Sequence, residues 1–204
     1  MKVSSKKQES FGLYFTRAIV VALLGVVTYV TVAYCVHVYY DRESAFRGAL
    51  ACSMRVLEDH DIIFWLQNGT LLGSRRLGRL ILWDADLDIG FKKIPNKGKT
   101  LTMLRELDSR CFGFTSSVRV GAQNQINIYR KCTKRICAEF HETVIENGIV
   151  TSGDGHSLEK ELFPLEMCTV ADVVARCPHN TPFYLMEAYG NEWLTRSLSK
   201  LFWG

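Results

Sequence analysis

An uncharged apolar segment near the N-terminus constrains the fold of this chain more than any other feature of its sequence. Between Arg17 and Asp41 lie 23 residues without a formal charge, and the run 18–38 is apolar almost throughout. As a helix, a run of about 21 residues is roughly 32 Å long, which matches the hydrocarbon core of a bilayer. The sequence therefore predicts a membrane-spanning helix over residues 18–40 and excludes a simple soluble protein of the cytosol.

The charges on the two sides of this segment predict its orientation. Residues 1–17 carry four basic side chains and one acidic side chain, whereas residues 41–204 carry 21 basic and 20 acidic ones. Because basic residues favour the cytosolic side, we expect a cytosolic tail at 1–17 and a type II anchor in the Golgi or endoplasmic-reticulum membrane. A cleaved signal peptide is the alternative, although its apolar stretch is usually about 7 to 15 residues long. The neutral balance after the span argues against nucleic acid as a partner.

The cysteines agree with a luminal domain. Cys35 lies in the span and the other six follow it, which is an even number in an oxidising compartment and predicts disulfides without specifying the pairs. Zinc is the alternative, although neither candidate group has the tight paired spacing of a structural site. The zinc ligands would be Cys132, Cys137 and His141 in one group and Cys168, Cys177 and His179 in the other.

Apolar periodicity after the span predicts an α+β domain. Residues 41–60 are expected to form a stem with an amphipathic entry helix, and residues 61–204 one luminal domain. Residues 148–161 are rich in glycine, serine and aspartate and predict a mobile loop. Strands are predicted at 61–66, 80–91, 114–120, 125–129 and 135–145, a turn at 121–124, and helices at 69–76, 100–110 and near the C-terminus. These elements predict a small mixed β-sheet with flanking helices.

The predicted strand at 80–91 carries three carboxylates. Because strand side chains alternate between faces, Asp84, Asp86 and Asp88 share one face and their apolar neighbours share the other. Like charges roughly 6 to 7 Å apart repel one another unless cations lie among them. Oxygen ligands on a rigid strand suit Mg²⁺ or Mn²⁺, which keep open positions for a substrate phosphate. The alternatives are a calcium loop, which would need glycine and further oxygen ligands soon after, and a solvated strand edge.

Two further motifs lie on either side of this strand. Gly73 and Ser74 predict a turn that opens a helix, whose first N–H groups would meet a phosphate. Glu139 shares a strand face with His141 and is the candidate for a third metal-facing carboxylate, able to accept a proton from an attacking hydroxyl. A surface glutamate is the alternative. Glu142 is a poorer candidate because strand parity places it with the core face.

These motifs resemble the core of the LicD family, which includes bacterial phosphocholine transferases and the fukutin and fukutin-related ribitol-phosphate transferases. The resemblance covers residues 55–195 and is carried by 65–73 (WLQNGTLLG), 83–90 (WDADLDIG), Arg76, Gly78, Ile81, Phe163, Pro164, Leu165, Cys168, Pro178, Tyr184, Leu185, Tyr189, Gly190 and Trp193. It implies a nucleotidyltransferase-like fold. It also implies metal-dependent transfer of a phosphorylated alcohol from a CDP-linked donor to a hydroxyl of a glycan or glycoprotein, with release of CMP.

The resemblance also implies a set of site residues. The catalytic residues would be Asp84, Asp86, Asp88 and Glu139, of which Asp86, Asp88 and Glu139 would bind Mg²⁺ or Mn²⁺. The substrate-binding residues would be Asn68, Gly69, Thr70, Gly73, Ser74 and Arg76. Arg76 is expected to contact the donor phosphates, with a solvated helix arginine as the alternative. Asn68 is expected to hydrogen-bond within the site rather than carry the glycan that its sequon permits. For the whole chain, the alternative is a catalytically inactive, membrane-anchored accessory or glycan-binding protein on the same fold.

The predicted orientation can be tested with glycosylation reporters. A reporter that is modified only in the lumen should be glycosylated when fused after Gly204 and unmodified when placed before Lys2, because the basic tail keeps the N-terminus in the cytosol. Mobility on gels with and without glycosidase measures the outcome. The reverse pattern would contradict the orientation and the luminal assignment together.

Overall fold

The computed structural model divides the chain into two units, Met1–Asp41 and Arg42–Gly204. It describes residues 4–81, 84, 86–113, 118–123, 126–133, 135–152 and 155–195. In helix α1 (Ser4–Asp59), the segment Arg17–Asp59 contains a stretch that is apolar and long enough to cross a membrane. The long apolar helix predicted from the sequence is therefore confirmed. Its length, composition and position near the N-terminus suit a membrane anchor and a signal sequence alike.

The second unit combines two β-sheets with short helices, which confirms the predicted α+β class. Its elements in chain order are β1 (Phe64–Leu66), α2 (Asn68–Leu77), β2 (Asp86–Lys92), α3 (Lys97–Leu107), a π-helical turn (Asp108–Phe112), β3 (Val118–Gln123), β4 (Ile126–Cys132), β5 (Cys137–Glu146), β6 (Ile149–Ser152), β7 (Gly155–Leu158), α4 (Glu159–Leu162), β8 (Glu166–Val170), β9 (Val173–Cys177) and α5 (Thr181–Tyr189).

The larger sheet is mixed. Five of its strands follow the order β1-β2-β5-β4-β3, while β6 pairs with β5 and β7 with β6. β2 and β5 run parallel, whereas β1 pairs with β2 and β4 with β5 in the antiparallel sense. Leu87, Ile89 and Phe91 on β2 are fully buried, as are Ala138 and Phe140 on β5. These two central strands therefore form a rigid base for the polar side chains that they carry on their other face.

The C-terminal part of α1 belongs to the core of this unit. Phe46, Leu50, Val56 and Leu57 are fully buried and pack in the same apolar cluster as the residues of β2 and β5. Their spacing places them on one side of the helix, which explains why the sequence reads as amphipathic there. The segment predicted as a stem and entry helix thus packs with the sheet.

All six cysteines after the span are paired. The disulfides join Cys52 to Cys111, Cys132 to Cys137 and Cys168 to Cys177. The zinc alternative at the last two pairs is therefore wrong, because their sulfur atoms are bonded to each other and cannot bind a metal as thiolates. The longest closed loop is that of Cys52–Cys111, which ties α1 to the π-helical turn.

Two predictions about local structure are wrong. The predicted mobile loop at 148–161 instead contains β6, β7 and α4. Asn147 and Gly148 both have positive φ and form the tight turn between β5 and β6, a hairpin signal that outweighs the polar composition. The turn predicted at 121–124 is also wrong, since residues 121–123 belong to β3. Residues 114–117 and 124–125 lie outside the described residues.

The strand predicted at 80–91 is shorter than expected. It begins at Asp86, and Asp84 lies before it, with its backbone N–H donating to the carbonyl of Ile81 at 3.0 Å. Leu82, Trp83 and Ala85 lie outside the described residues. Asp84 is therefore outside the strand, and strand alternation does not govern where its side chain points.

The disulfide between α1 and the π-helical turn should contribute strongly to stability. Replacing both Cys52 and Cys111 with serine should lower the free energy of unfolding by about 4 kcal/mol, the chain-entropy value for a loop of this length. Cys35→Ser, which alters an exposed cysteine outside any disulfide, is the matched control and should change little. Urea unfolding of the full chain in detergent measures both. Equal stability of the double variant and the control would contradict the assigned pairing.

Candidate active site

The parallel pairing of β2 with β5 brings the predicted acidic residues together. Asp88 lies directly opposite Glu139 in the register of the two strands. Asp84, Asp86 and Asp88 each offer an oxygen within 4.8 Å of the others, and ligand atoms of Asp88, Glu139 and His141 meet the same limit. Asp88 belongs to both groups. Four carboxylates and one imidazole therefore converge on one small region of the sheet.

Burial intensifies the repulsion within this acidic cluster. Asp84 and Asp88 are 8% and 7% exposed, while Asp86 and Glu139 are half-buried. Burial, a hydrogen bond to Asp86 and the charge of Asp88 raise the pKa of Asp84 to about 8. Burial also raises the pKa of Glu139, with the two strand aspartates adding to the effect. Because so many carboxylate oxygens lie together in a buried place, either some carboxylates are protonated or a cation binds among them.

The start of α2 is hydrogen-bonded to Asp88 of the acidic cluster. The backbone N–H of Gly69 donates to Asp88 Oδ2 at 3.0 Å, and the Thr70 hydroxyl accepts the backbone N–H of Asp88 at 2.8 Å. The backbone N–H of Gln67 donates to the carbonyl of Asp88 at 3.1 Å. The free N–H groups and the positive end of the helix dipole thus face the carboxylates and reduce their repulsion.

Only glycine fits at position 69, because the start of α2 lies very close to the carboxylates of Asp84 and Asp88. A Cβ at Gly69 would lie 2.1 Å from Asp84 Oδ2 and 3.4 Å from Asp88 Oδ2. No side chain can occupy that space while both carboxylates stay in place. Asp84 is fixed from the other side by the guanidinium of Arg42, which donates to its main-chain carbonyl.

The donor set fits a divalent cation. Asp84 Oδ2 is buried and has no hydrogen-bond partner among the described residues, although buried polar atoms normally have one. Together with the carboxylates of Asp86, Asp88 and Glu139 it offers the oxygen ligands that Mg²⁺ and Mn²⁺ prefer. These acidic residues can therefore bind a metal ion.

The other predicted substrate-binding residues lie further along α2 or at its edge. Asn68 begins the helix with a positive φ of 47° and is exposed, and its side chain makes no hydrogen bond within the described part of the chain. The hydrogen bond predicted for it in the site stays a prediction. Arg76 lies in the last turn, roughly 10 Å along the axis from Gly69 at 1.5 Å per residue.

The prediction that Gly73 and Ser74 open a helix is wrong. Both lie within α2, which begins at Asn68. Gly73 packs closely on the chain after the helix, where a Cβ would lie 2.6 Å from the carbonyl oxygen of Arg79. The Ser74 hydroxyl donates to the carbonyl of Thr169 on β8 at 2.9 Å.

Arg130 is a site residue that sequence reasoning missed. It lies on β4 opposite Glu139, and its guanidinium is 3.5 Å from Glu139 Oε1 and 3.9 Å from Asp86 Oδ2. The sequence analysis predicts strands at 125–129 and 135–145. It does not give the register of β4 and β5, which places Arg130 beside the acidic residues.

Two further residues complete the surroundings of the cluster. His141 Nε2 is buried, 3.5 Å from Asp88 Oδ1 and 3.6 Å from Glu139 Oε2. Tyr189 lies at the end of α5, which packs against α2. Burial and the charges of three aspartates raise the pKa of Tyr189 above its usual value, so its phenol stays a neutral hydrogen-bond donor.

The family comparison agrees with this geometry. The profile described as LicD/FKTN/FKRP, nucleotidyltransferase domain, matches residues 61–180, more than half of the chain. The chain belongs to the LicD family. The LicD match includes β1, α2, β2 and β5, the elements that position the acidic cluster. Membership indicates a transferase of the nucleotidyl- or phosphoryl-transfer type.

Other comparisons add little to the LicD assignment. No curated protein sequence matches the chain. The crystal structure of ANT(2")-Ia in complex with adenylyl-2"-tobramycin is similar with a TM-score of 0.42 and 11% sequence identity. The similarity covers 63% of this LicD chain and 66% of the other chain, so it does not span the whole of either protein.

The close contact at Gly69 gives a prediction for metal binding. Gly69→Ala should displace the Asp84 and Asp88 carboxylates and weaken Mn²⁺ binding at least tenfold, as measured by calorimetry on the full chain in detergent. Gly48→Ala is the matched control, because a Cβ there meets nothing within 4 Å. Mn²⁺ affinity equal to that of the wild type in a folded Gly69→Ala variant would exclude these carboxylates as ligands.

Proposed function

We propose that this chain is a metal-dependent phosphotransferase. It would move a phosphorylated alcohol, such as ribitol phosphate or phosphocholine, from a CDP-linked donor to a hydroxyl of a glycan or glycoprotein and release CMP. The observation that carries the proposal is the convergence of Asp84, Asp86, Asp88 and Glu139 at the start of α2. Family membership supports the reaction class.

The acidic residues would serve as metal ligands, and Glu139 would also act as a base. Asp86, Asp88 and Glu139 would bind Mg²⁺ or Mn²⁺, with Asp84 close enough to assist. When bound, the ion supplies positive charge to the donor diphosphate and to the leaving CMP. The raised pKa of Glu139 also suits it to accept the proton of the attacking hydroxyl.

Cationic and polar groups around the cluster would bind the donor. Arg130 faces Asp86 and Glu139 from the neighbouring strand, and a guanidinium there can make paired hydrogen bonds to phosphate oxygens. We therefore assign the donor phosphates to Arg130 rather than to Arg76. The start of α2 adds the positive end of its helix dipole, although the Gly69 N–H itself donates to Asp88.

The membrane assignment belongs to the same proposal. The apolar helix of residues 18–40 would anchor the protein in the Golgi or endoplasmic-reticulum membrane, with the transferase unit in the lumen. The three disulfides support an oxidising compartment. The acceptor would then be a glycan that passes through the secretory pathway.

The completeness of the acidic set favours an enzyme over a non-catalytic accessory protein on the same fold. An accessory protein has no need for several carboxylates that repel one another in a buried place, and substitution of any of them would relieve that repulsion. Glu139, the residue that distinguishes the two hypotheses, lies beside Asp88.

The proposal can be tested by CMP release. The full chain in detergent, with Mn²⁺ or Mg²⁺ and a panel of CDP-linked alcohols, should release CMP from one of them. Asp88→Asn should reduce the rate at least 100-fold, since it keeps the shape of the side chain but removes a ligand charge.

Glu139→Gln should lower turnover strongly while donor binding persists, because the strand aspartates remain. Glu146→Gln, an exposed glutamate on the same strand, is the matched control and should stay within twofold of wild type.

Two results would contradict the proposal. An Asp88→Asn rate within tenfold of wild type would show that the reaction does not depend on this cluster. Donor binding without CMP release in the wild type, across the panel and with both metals, would favour the accessory-protein hypothesis.

A further inference from the structure

The imidazole of His141 is buried against the acidic cluster, and its Nε2 has no hydrogen-bond partner among the described residues. Its side chain is 8% exposed, and Nε2 makes no hydrogen bond to any described residue. A buried ring nitrogen in a protein nearly always has a partner. Asp88 Oδ1 lies 3.5 Å from this nitrogen and Glu139 Oε2 lies 3.6 Å from it.

These separations do not fit a direct ion pair. A protonated imidazole that donates to a carboxylate does so at about 2.7 to 2.9 Å. Both distances from His141 Nε2 are longer by more than half an ångström. At 3.5 and 3.6 Å, both carboxylate oxygens are too far from Nε2 for a charge-assisted hydrogen bond of ordinary length.

The same separations fit a shared metal ion. Ligand atoms about 2.1 Å from one ion lie roughly 3.0 to 3.6 Å apart at ligand–metal–ligand angles near 90 to 120°. One ligand atom from each of Asp88, Glu139 and His141 lies within 4.8 Å of the others. The register of β2 and β5 fixes the two carboxylates, and His141 follows Glu139 by two residues on the same strand face.

We infer that His141 is a metal ligand together with Asp88 and Glu139, and that its nitrogen makes the site select Mn²⁺ over Mg²⁺. Mg²⁺ prefers oxygen ligands and retains its waters, whereas first-row transition-metal ions accept imidazole readily. The inference rests on the proposed metal-dependent function. It concerns metal binding alone, which can be measured without the transfer reaction.

Pulsed electron paramagnetic resonance of bound Mn²⁺ tests the ligand directly. The full chain, purified in detergent without a histidine tag and loaded with Mn²⁺ alone, should show coupling to a nitrogen nucleus. Labelling histidine with ¹⁵N should change that coupling in the unaltered protein, so the result does not depend on any variant folding. His141→Gln should abolish the coupling, and His179→Gln, an exposed histidine paired with Glu166, should preserve it.

Calorimetry on the same samples tests the selectivity. The wild type should bind Mn²⁺ at least tenfold more tightly than Mg²⁺. His141→Gln should weaken Mn²⁺ binding at least tenfold and change Mg²⁺ binding less than threefold, because only the nitrogen ligand is lost. Thermal unfolding of His141→Gln and of the second variant His141→Asn confirms that each is folded.

Three outcomes would overturn the inference: no histidine coupling in the wild type, coupling that survives in folded His141→Gln, or equal affinity of the wild type for the two metals. The proposed function is tested independently of this inference. Mn²⁺ bound through His141 without any CMP release would support the ligand assignment and contradict the transferase. CMP release without nitrogen coupling would support the transferase and contradict the ligand assignment.

Discussion

The parallel pairing of β2 with β5 is the constraint on which the candidate site depends. It joins two strands that are far apart in the chain and places Asp88 directly opposite Glu139. Leu87 and Phe140 on these strands are fully buried, so a slip of one residue would turn apolar side chains toward the carboxylates. The hydrophobic core therefore fixes the register, and the register fixes the distances between the acidic groups.

The rest of the site accommodates the repulsion that this pairing creates. The start of α2 presents a backbone N–H to Asp88, and Gly69 leaves room for Asp84. Arg130 and His141 approach from β4 and β5. Each of these groups reduces the repulsion between the carboxylates, yet Asp84 Oδ2 has no hydrogen-bond partner in the part of the chain that the structure describes. A divalent cation would satisfy it and neutralise the cluster at the same time.

Much of this site could be predicted from the sequence, because strand alternation is a local property. Alternation placed Asp86 with Asp88 and put Glu139 on the polar face of its own strand, and both assignments agree with the structure. The parts that could not be predicted depend on contacts between distant segments or on the position where an element begins. Asp84 precedes its strand, and the helix begins at Asn68, several residues before the glycine-serine pair that suggested its start. The role of Arg130 required the register of a hairpin, which the sequence pattern alone does not specify.

Anomalous X-ray diffraction from crystals of the full chain grown with Mn²⁺ tests the cation site most directly. The geometry of β2 and β5 predicts a strong manganese peak among the carboxylate oxygens of Asp86, Asp88 and Glu139, at the start of α2. A crystal with well-ordered carboxylates and no peak there, or with peaks only elsewhere on the molecule, would contradict the assignment of this cluster as the metal centre.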